Sequence, residues 1–145
     1  MLSKLYEIAS KIFGHYLIDV GIGINVSENS TDIDSVVIVS KLDMTKVAEF
    51  KRVASRNFEK EVSCVVMTEL MLRDKRLWSD KFITMVLKGI EFTSLEVDII
   101  FSEVKELAHK NTTEAMYRWL KDYSSGKITA DRLIDLLVQQ ICLLV

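Results

Sequence analysis

An α/β fold, with a small mixed β-sheet, helices packed on it and a helical C-terminal extension, is predicted by three observations. Apolar and β-branched runs of strand length alternate with segments whose apolar residues recur at helical spacing as far as about residue 92. Beyond that point only helical patterning remains. The chain has 145 residues, 49% of them hydrophobic and 28% charged, which is one domain's worth with ample core material. The expected organisation is therefore a core over residues 1–92 and a helical extension over 93–145 packed on the same domain.

The first element is an amphipathic helix with Leu2, Leu5, Ala9, Ile12 and Phe13 on one stripe, stopped by Gly14. Tyr16 to Gly23 reads as a strand with Tyr16, Ile18, Val20 and Ile22 on one face, and Ile24 to Thr31 as a polar loop. Ile33 to Val39 is almost continuously β-branched, which predicts a central strand buried on both faces. Asp43 is placed to cap a helix reaching about Phe58, with Val47, Phe50, Ala54 and Phe58 as its core stripe. Glu61 to Thr68 reads as a third strand. Glu69 to Leu87 follows as helix in two pieces broken near Trp78 and Ser79, and Lys88-Gly-Ile-Glu-Phe92 adds a short strand.

Thr93-Ser-Leu-Glu96 has the form of a capping box, with a hydroxyl at the cap and a carboxylate three residues on, and predicts a helix starting near Leu95. Asn111-Thr-Thr-Glu114 repeats the pattern ahead of another helix through Trp119. Ser124-Ser-Gly-Lys127 closes that helix, and Thr129 opens the last one, from Ala130 onward.

Composition excludes several classes of function. A net charge of −2 fits neither an acidic nor a basic tail, although Lys41 to Lys88 carries a local balance of +4. The row Arg52, Arg56 and Lys60 on the second helix reads as a solvated face, or as a contact for an acceptor's phosphates. Cys64 and Cys142 are far apart and lack metal-site spacing. No apolar run reaches the roughly 18 residues of a membrane helix. No leader is read before the first helix, so a reducing, cytoplasmic setting away from membranes is expected. The final helix is unusually apolar, which suits core completion, a homodimer or a helical protein partner.

The chemistry concentrates between Val20 and Val39. Asp32 and Asp34 are two apart at the start of the strongest strand, so a period of two sets both on one face, roughly 7 Å apart along the backbone. Burying two like charges costs several kcal/mol unless a cation or donors compensate, whereas a wet position costs little. Carboxylates converging where a glycine-bearing loop returns are what a divalent cation and a phosphate require, since Mg²⁺ takes one or two carboxylates together with phosphate oxygens.

The stretch Gly21-Ile22, followed by Gly23 to Thr31 and then Asp32-Ile33-Asp34, resembles the nucleotidyltransferase superfamily built on the DNA polymerase β palm, in its minimal form. The match is best over the first strand, loop and second strand, and the order of later elements agrees through about residue 90. The resemblance implies a palm-type sheet. It also implies divalent metals (Mg²⁺ or Mn²⁺) on Asp32 and Asp34, and a nucleoside triphosphate held by the loop at Gly21, Ile22, Gly23, Asn25, Ser27 and Thr31. A nucleotidyl group would pass to an unidentified acceptor, whether nucleic acid, protein or small molecule.

Two departures stand out. Ile22 lies where the family has Gly or Ser, with Gly23 one position late, and Ser63 lies where a third acid is expected, leaving Glu61 or Asp98 as candidates. Leu95-Glu-Val-Asp98-Ile-Ile-Phe101 reads in isolation as a strand motif, whereas the helical stripe and capping box around it favour a helix from Leu95, on which Asp98 would be a surface acid. The alternative is a catalytically degenerate relative acting as a binding or antitoxin-type partner protein, and a third reading is a structural homodimer. Competing motifs fail. Gly21-Ile-Gly23 lacks the third glycine of a dinucleotide loop, Ser125-Gly-Lys127 lacks the first glycine of a P-loop, and His15 and His109 are isolated.

Overall fold

The computed structural model describes residues 1–24, 26, 29–97 and 101–144, with side chains of residues 101 and 142–144 left out of the description. Two compact units are present, Met1–Asp98 and Ile99–Val145. Among the described residues the first unit comprises α1 (Leu2–Phe13), β1 (Leu17–Gly23), β2 (Asp32–Val39), α2 (Met44–Phe58), β3 (Glu61–Thr68), α3 (Glu69–Arg73), α4 (Asp80–Lys88) and β4 (Ile90–Phe92). The second holds α5 (Phe101–Ser124) and α6 (Ala130–Leu144). The fold is mixed α/β, as expected.

The sheet order is β3-β2-β1-β4. β1 runs antiparallel to β2 and β4, while β2 and β3 are parallel. A parallel pair needs a crossover, and α2 supplies it. Its start is fixed by Asp43, whose carboxylate accepts from the N–H groups of Thr45 (3.1 Å) and Lys46 (3.4 Å), a cap worth about 1 kcal/mol. The β-branched run of β2 lies in the sheet's interior, and Val36, Val37, Ile38 and Val39 are fully buried. On one sheet face Val20, Ile22, Ile33, Val37 and Val62 pack with Leu5, Ala9 and Phe13 of α1 and with Val47, Phe50 and Ala54 of α2. The Phe13 and Phe50 rings meet at 5.8 Å.

Tyr16 departs from its expected place in β1. Gly14–Tyr16 forms a single 3₁₀ turn, entered through Gly14 at φ 58°, and a register shift between Leu17 and Asp19 marks a bulge. The bulge turns the fully buried Asp19 toward the segment after β4. There its carboxylate accepts from the Thr93 hydroxyl, the Ser94 N–H (3.0 Å) and the Leu95 N–H (2.7 Å).

The expected helix start at Leu95 is thereby corrected. Leu95–Val97 are not helical, because the Asp19 carboxylate takes the Thr93 hydroxyl and the Ser94 and Leu95 N–H groups and holds this segment as a turn. The second expected cap, at Asn111, is likewise absent, since α5 runs through it without a break. Thr112 donates to Gln140 Oε1 on α6 (3.0 Å), and Thr113 to the His109 carbonyl (2.9 Å). Gly126 at φ 78° closes the turn, and Thr129 Oγ1 accepts from the Arg132 N–H (3.2 Å), capping α6 as expected. No helix among the described residues is long and apolar enough to cross a membrane.

Candidate functional site

The alternation of β2 sends Ile33 and Val37 into the core and leaves Asp32 and Asp34 on the opposite sheet face. Asp32 is exposed and Asp34 about half so. The pair is wet, so it carries little of the desolvation cost that a buried pair would impose.

Asp34 borders a cavity of about 110 Å³, several times the roughly 10–15 Å³ that one water requires. Gly23, Val26 and Asp34 form one bank, and Lys81, Thr84, Met85, Lys88 and Gly89 the other. The second bank is one face of α4, because Lys81, Thr84 and Lys88 are spaced i, i+3, i+7. The helix is seated by Ser79, whose hydroxyl accepts from the Phe82 N–H (3.2 Å), and by its buried Phe82, Ile83, Met85 and Val86. Trp78 packs edge-on against Phe82 at 4.9 Å. Lys81 Nζ lies 3.5 Å from Asp34 Oδ1, with the side chains 45% and 42% exposed. At that exposure the pair contributes no more than about 1 kcal/mol.

The glycines divide their roles. A Cβ on Gly21 would lie 2.8 Å from Val36 Cγ1 and 2.9 Å from Phe92 Cδ1, so Gly21 serves close strand packing. Ile22 is buried in the core cluster. Only Gly23 of the three reaches the cavity. After it the chain turns, with the Val26 N–H donating to the Gly23 carbonyl (3.0 Å) and the Ile24 N–H to the Gly89 carbonyl (3.0 Å). Gly89 has φ 104°, and Ile24 fills the space where its side chain would be. Thr31 is exposed at the turn into β2. Asn25 and Ser27 lie outside the described residues.

The β3 register aligns Glu61 with Asp32 and Ser63 with Asp34. Ser63 therefore stands abreast of the second aspartate, and its carbonyl accepts from the Ser35 hydroxyl (2.9 Å). Among the described residues no group of three or more His, Cys, Asp or Glu side chains gathers around a point. Glu61 thus does not complete a three-acid cluster, and Asp98 lies outside the described residues. Two accessible carboxylates fit one Mg²⁺ or Mn²⁺ that draws its remaining ligands from water and phosphate, and fall short of a two-cation set.

Sequence reasoning passed over Lys81, Thr84, Lys88 and Gly89. Their signal was the i, i+3, i+7 spacing of polar residues ending at a glycine. Of the other titratable groups, burial pushes the Cys64 thiol up to about 11, which leaves it a neutral packing group.

No family model and no curated protein matches this sequence. Solved structures are similar to it. One is a mutant form of the toxin–antitoxin MntA–HpeT, 11% identical, with 88% of this chain and 96% of that chain covered and a TM-score of 0.46. Another is a protein from Shewanella oneidensis, 16% identical over 87% of this chain and 93% of that one, TM-score 0.45. A third is the tri-AMPylated Shewanella oneidensis HEPN toxin in complex with MNT antitoxin, 13% identical over 88% and 97%, TM-score 0.42. At such identities residue correspondences do not carry across, so Asp32, Asp34 and Lys81 stand on their own chemistry.

Proposed function

We propose that the chain is a nucleotidyltransferase-like protein that binds a nucleoside triphosphate with one divalent cation, Mg²⁺ or Mn²⁺, at the lip of β2. The observation that carries this reading is the accessible pair Asp32 and Asp34 on one strand face, beside a small cavity bordered by Gly23 and two lysines. When bound, the cation supplies charge neutralisation and Lewis acidity to the phosphates. Asp32 and Asp34 offer it oxygen ligands. Gly23 leaves the loop backbone open to the phosphates. The transfer forms a bond from an acceptor oxygen to the α-phosphorus and breaks the bond to the bridging oxygen, releasing pyrophosphate and a proton to water.

Calorimetry with each of the four nucleoside triphosphates and Mg²⁺ or Mn²⁺ tests this. A saturable signal is expected for at least one, weakened about a hundredfold in Asp32→Ala and Asp34→Ala. Silence from the wild-type chain with all four removes the reading.

A second reading, a partner-binding protein of antitoxin type, is favoured by a specific feature of the second unit. Ile134, Val138 and Ile141 form a stripe on α6, each more than half exposed, and Met116, Tyr117, Leu120 and Tyr123 are exposed on α5. Scattered apolar exposure is ordinary, but a stripe at helical spacing marks a contact face. Changing Ile134 and Val138 to Ser should abolish co-purification with a second polypeptide or a second copy. Monomeric behaviour of the unaltered chain with no partner removes this reading.

A further inference from the structure

We propose that α4 is the anion-binding half of the pocket, with Lys81 and Lys88 gripping the phosphates of a polyphosphate ligand and Lys81 exchanging Asp34 for that ligand as it arrives. This rests on the reading that the pocket receives a nucleoside triphosphate.

Charge is the first reason. Asp32 and Asp34 together cancel one divalent cation, which leaves nothing to balance a polyphosphate bearing several negative charges. Lys81 and Lys88 are the cationic side chains that line the cavity, and both project from the same helix face. Helix polarity sets the opposing condition, since the cavity reaches the C-terminal glycine of α4, where the dipole is negative and disfavours an anion. The lysines must outweigh that end. Availability is the second reason. Lys81 holds Asp34 through a half-exposed contact that a phosphate can displace. Lys88 is exposed and makes no ion pair among the described residues that would have to be broken. Thr84, between them, already donates its hydroxyl to the Asp80 carbonyl (2.9 Å) and so presents only a lone pair to the cavity. It adds no donor, so the lysines carry the recognition.

The exchange has a signature that a merely electrostatic surface would lack. In the absence of divalent cations Asp34 competes with the ligand for Lys81, so removing Asp34 should tighten anion binding, whereas with Mg²⁺ present the same change should destroy nucleotide binding. The test titrates inorganic tripolyphosphate into the full chain at low ionic strength with EDTA, following heat. Saturable binding is expected, weakened about tenfold in each of Lys81→Ala and Lys88→Ala, strengthened about threefold in Asp34→Ala, and unchanged in Lys46→Ala. Lys46 sits over the Tyr16 ring on a different helix and serves as the control for lost charge. Lys81 and Lys88 are exposed and Lys46 is half-buried, and alanine is a better helix former, so circular dichroism should show intact folds.

The inference is overturned by an absence of metal-free binding, by lysine variants that bind like the parent, by an equal loss in Lys46→Ala, or by an unchanged Asp34→Ala. A chain that takes Mg²⁺-nucleotide through Asp32 and Asp34 while its α4 variants bind normally loses this inference alone. One that binds tripolyphosphate through the lysines but never Mg²⁺-nucleotide loses the nucleotidyltransferase-like reading instead.

Discussion

Asp19→Ala is expected to lower the stability of the first unit by about 3–4 kcal/mol. Hydrogen bonds to a charged group contribute roughly 1.5–3 kcal/mol each, and orphaned donors cost on the order of 1–3 kcal/mol apiece. Asp19 is fully buried and satisfies three donors in the turn after β4. A plain sum overshoots, because Thr93 and Ser94 are exposed and water replaces part of what is lost, and because the change also removes a desolvated charge. Urea denaturation should show the loss directly. For a unit of this size the melting temperature should fall by roughly 15–25 °C. Asp19→Asn keeps the shape and one acceptor oxygen and should lose about half as much. A change below about 1 kcal/mol in Asp19→Ala would mean that water, rather than this carboxylate, holds the turn.

Gly21→Val should cost a comparable amount, about 3–4 kcal/mol, for a steric reason alone. No positive φ is involved at Gly21, and valine suits a strand. The obstacle is space. Even the Cβ would sit 2.8 Å from Val36 Cγ1, on a fully buried neighbour, and 2.9 Å from the Phe92 ring. Overpacking of a filled interior costs roughly 1–3 kcal/mol and occasionally more, and the added γ-carbons of valine have no room at all. Trimming the obstruction should restore part of the loss. Phe92→Ala in the Gly21→Val background is expected to recover about 1–2 kcal/mol relative to additivity in a double-mutant cycle. Strictly additive losses would show that the two residues do not compete for the same space. The pair also separates packing from binding, since a folded double variant should still bind tripolyphosphate through α4.

Most of the sheet and its flanking helices could be read from local pattern. The β-branched run of β2, the Gly14 stop, the Asp43 cap and the strand Glu61–Thr68 are each set by residues close in sequence, and each lies where expected. The two misread helix starts share one cause. Thr93 looked like a local cap but is held by Asp19 at a separation of 74, and the box expected at Asn111 lies inside α5, where the neighbouring Thr112 reaches Gln140 at a separation of 28. A capping box is a local offer that a tertiary acceptor can outbid. Tyr16 was misplaced because the chain makes one 3₁₀ turn after Gly14 before β1 begins, and so short a turn has no periodicity to read.

The same distinction governs the site. A period of two suffices to put Asp32 and Asp34 on one face. The lysines opposite them depend on how α4 lies against the end of β1, which no window of sequence encodes. Gly21 and Gly23 look alike as letters, yet one is filled by neighbours and the other borders open space.

The Ile24 amide bonded to the Gly89 carbonyl fastens the two banks of the cavity together at one corner. With Ile24 also wedged into the space above Gly89, that corner is a clasp. The first residue after β1 and the last turn of α4 are therefore tied by backbone as well as by packing, so the bank bearing Gly23 and the bank bearing Lys88 share one anchored corner.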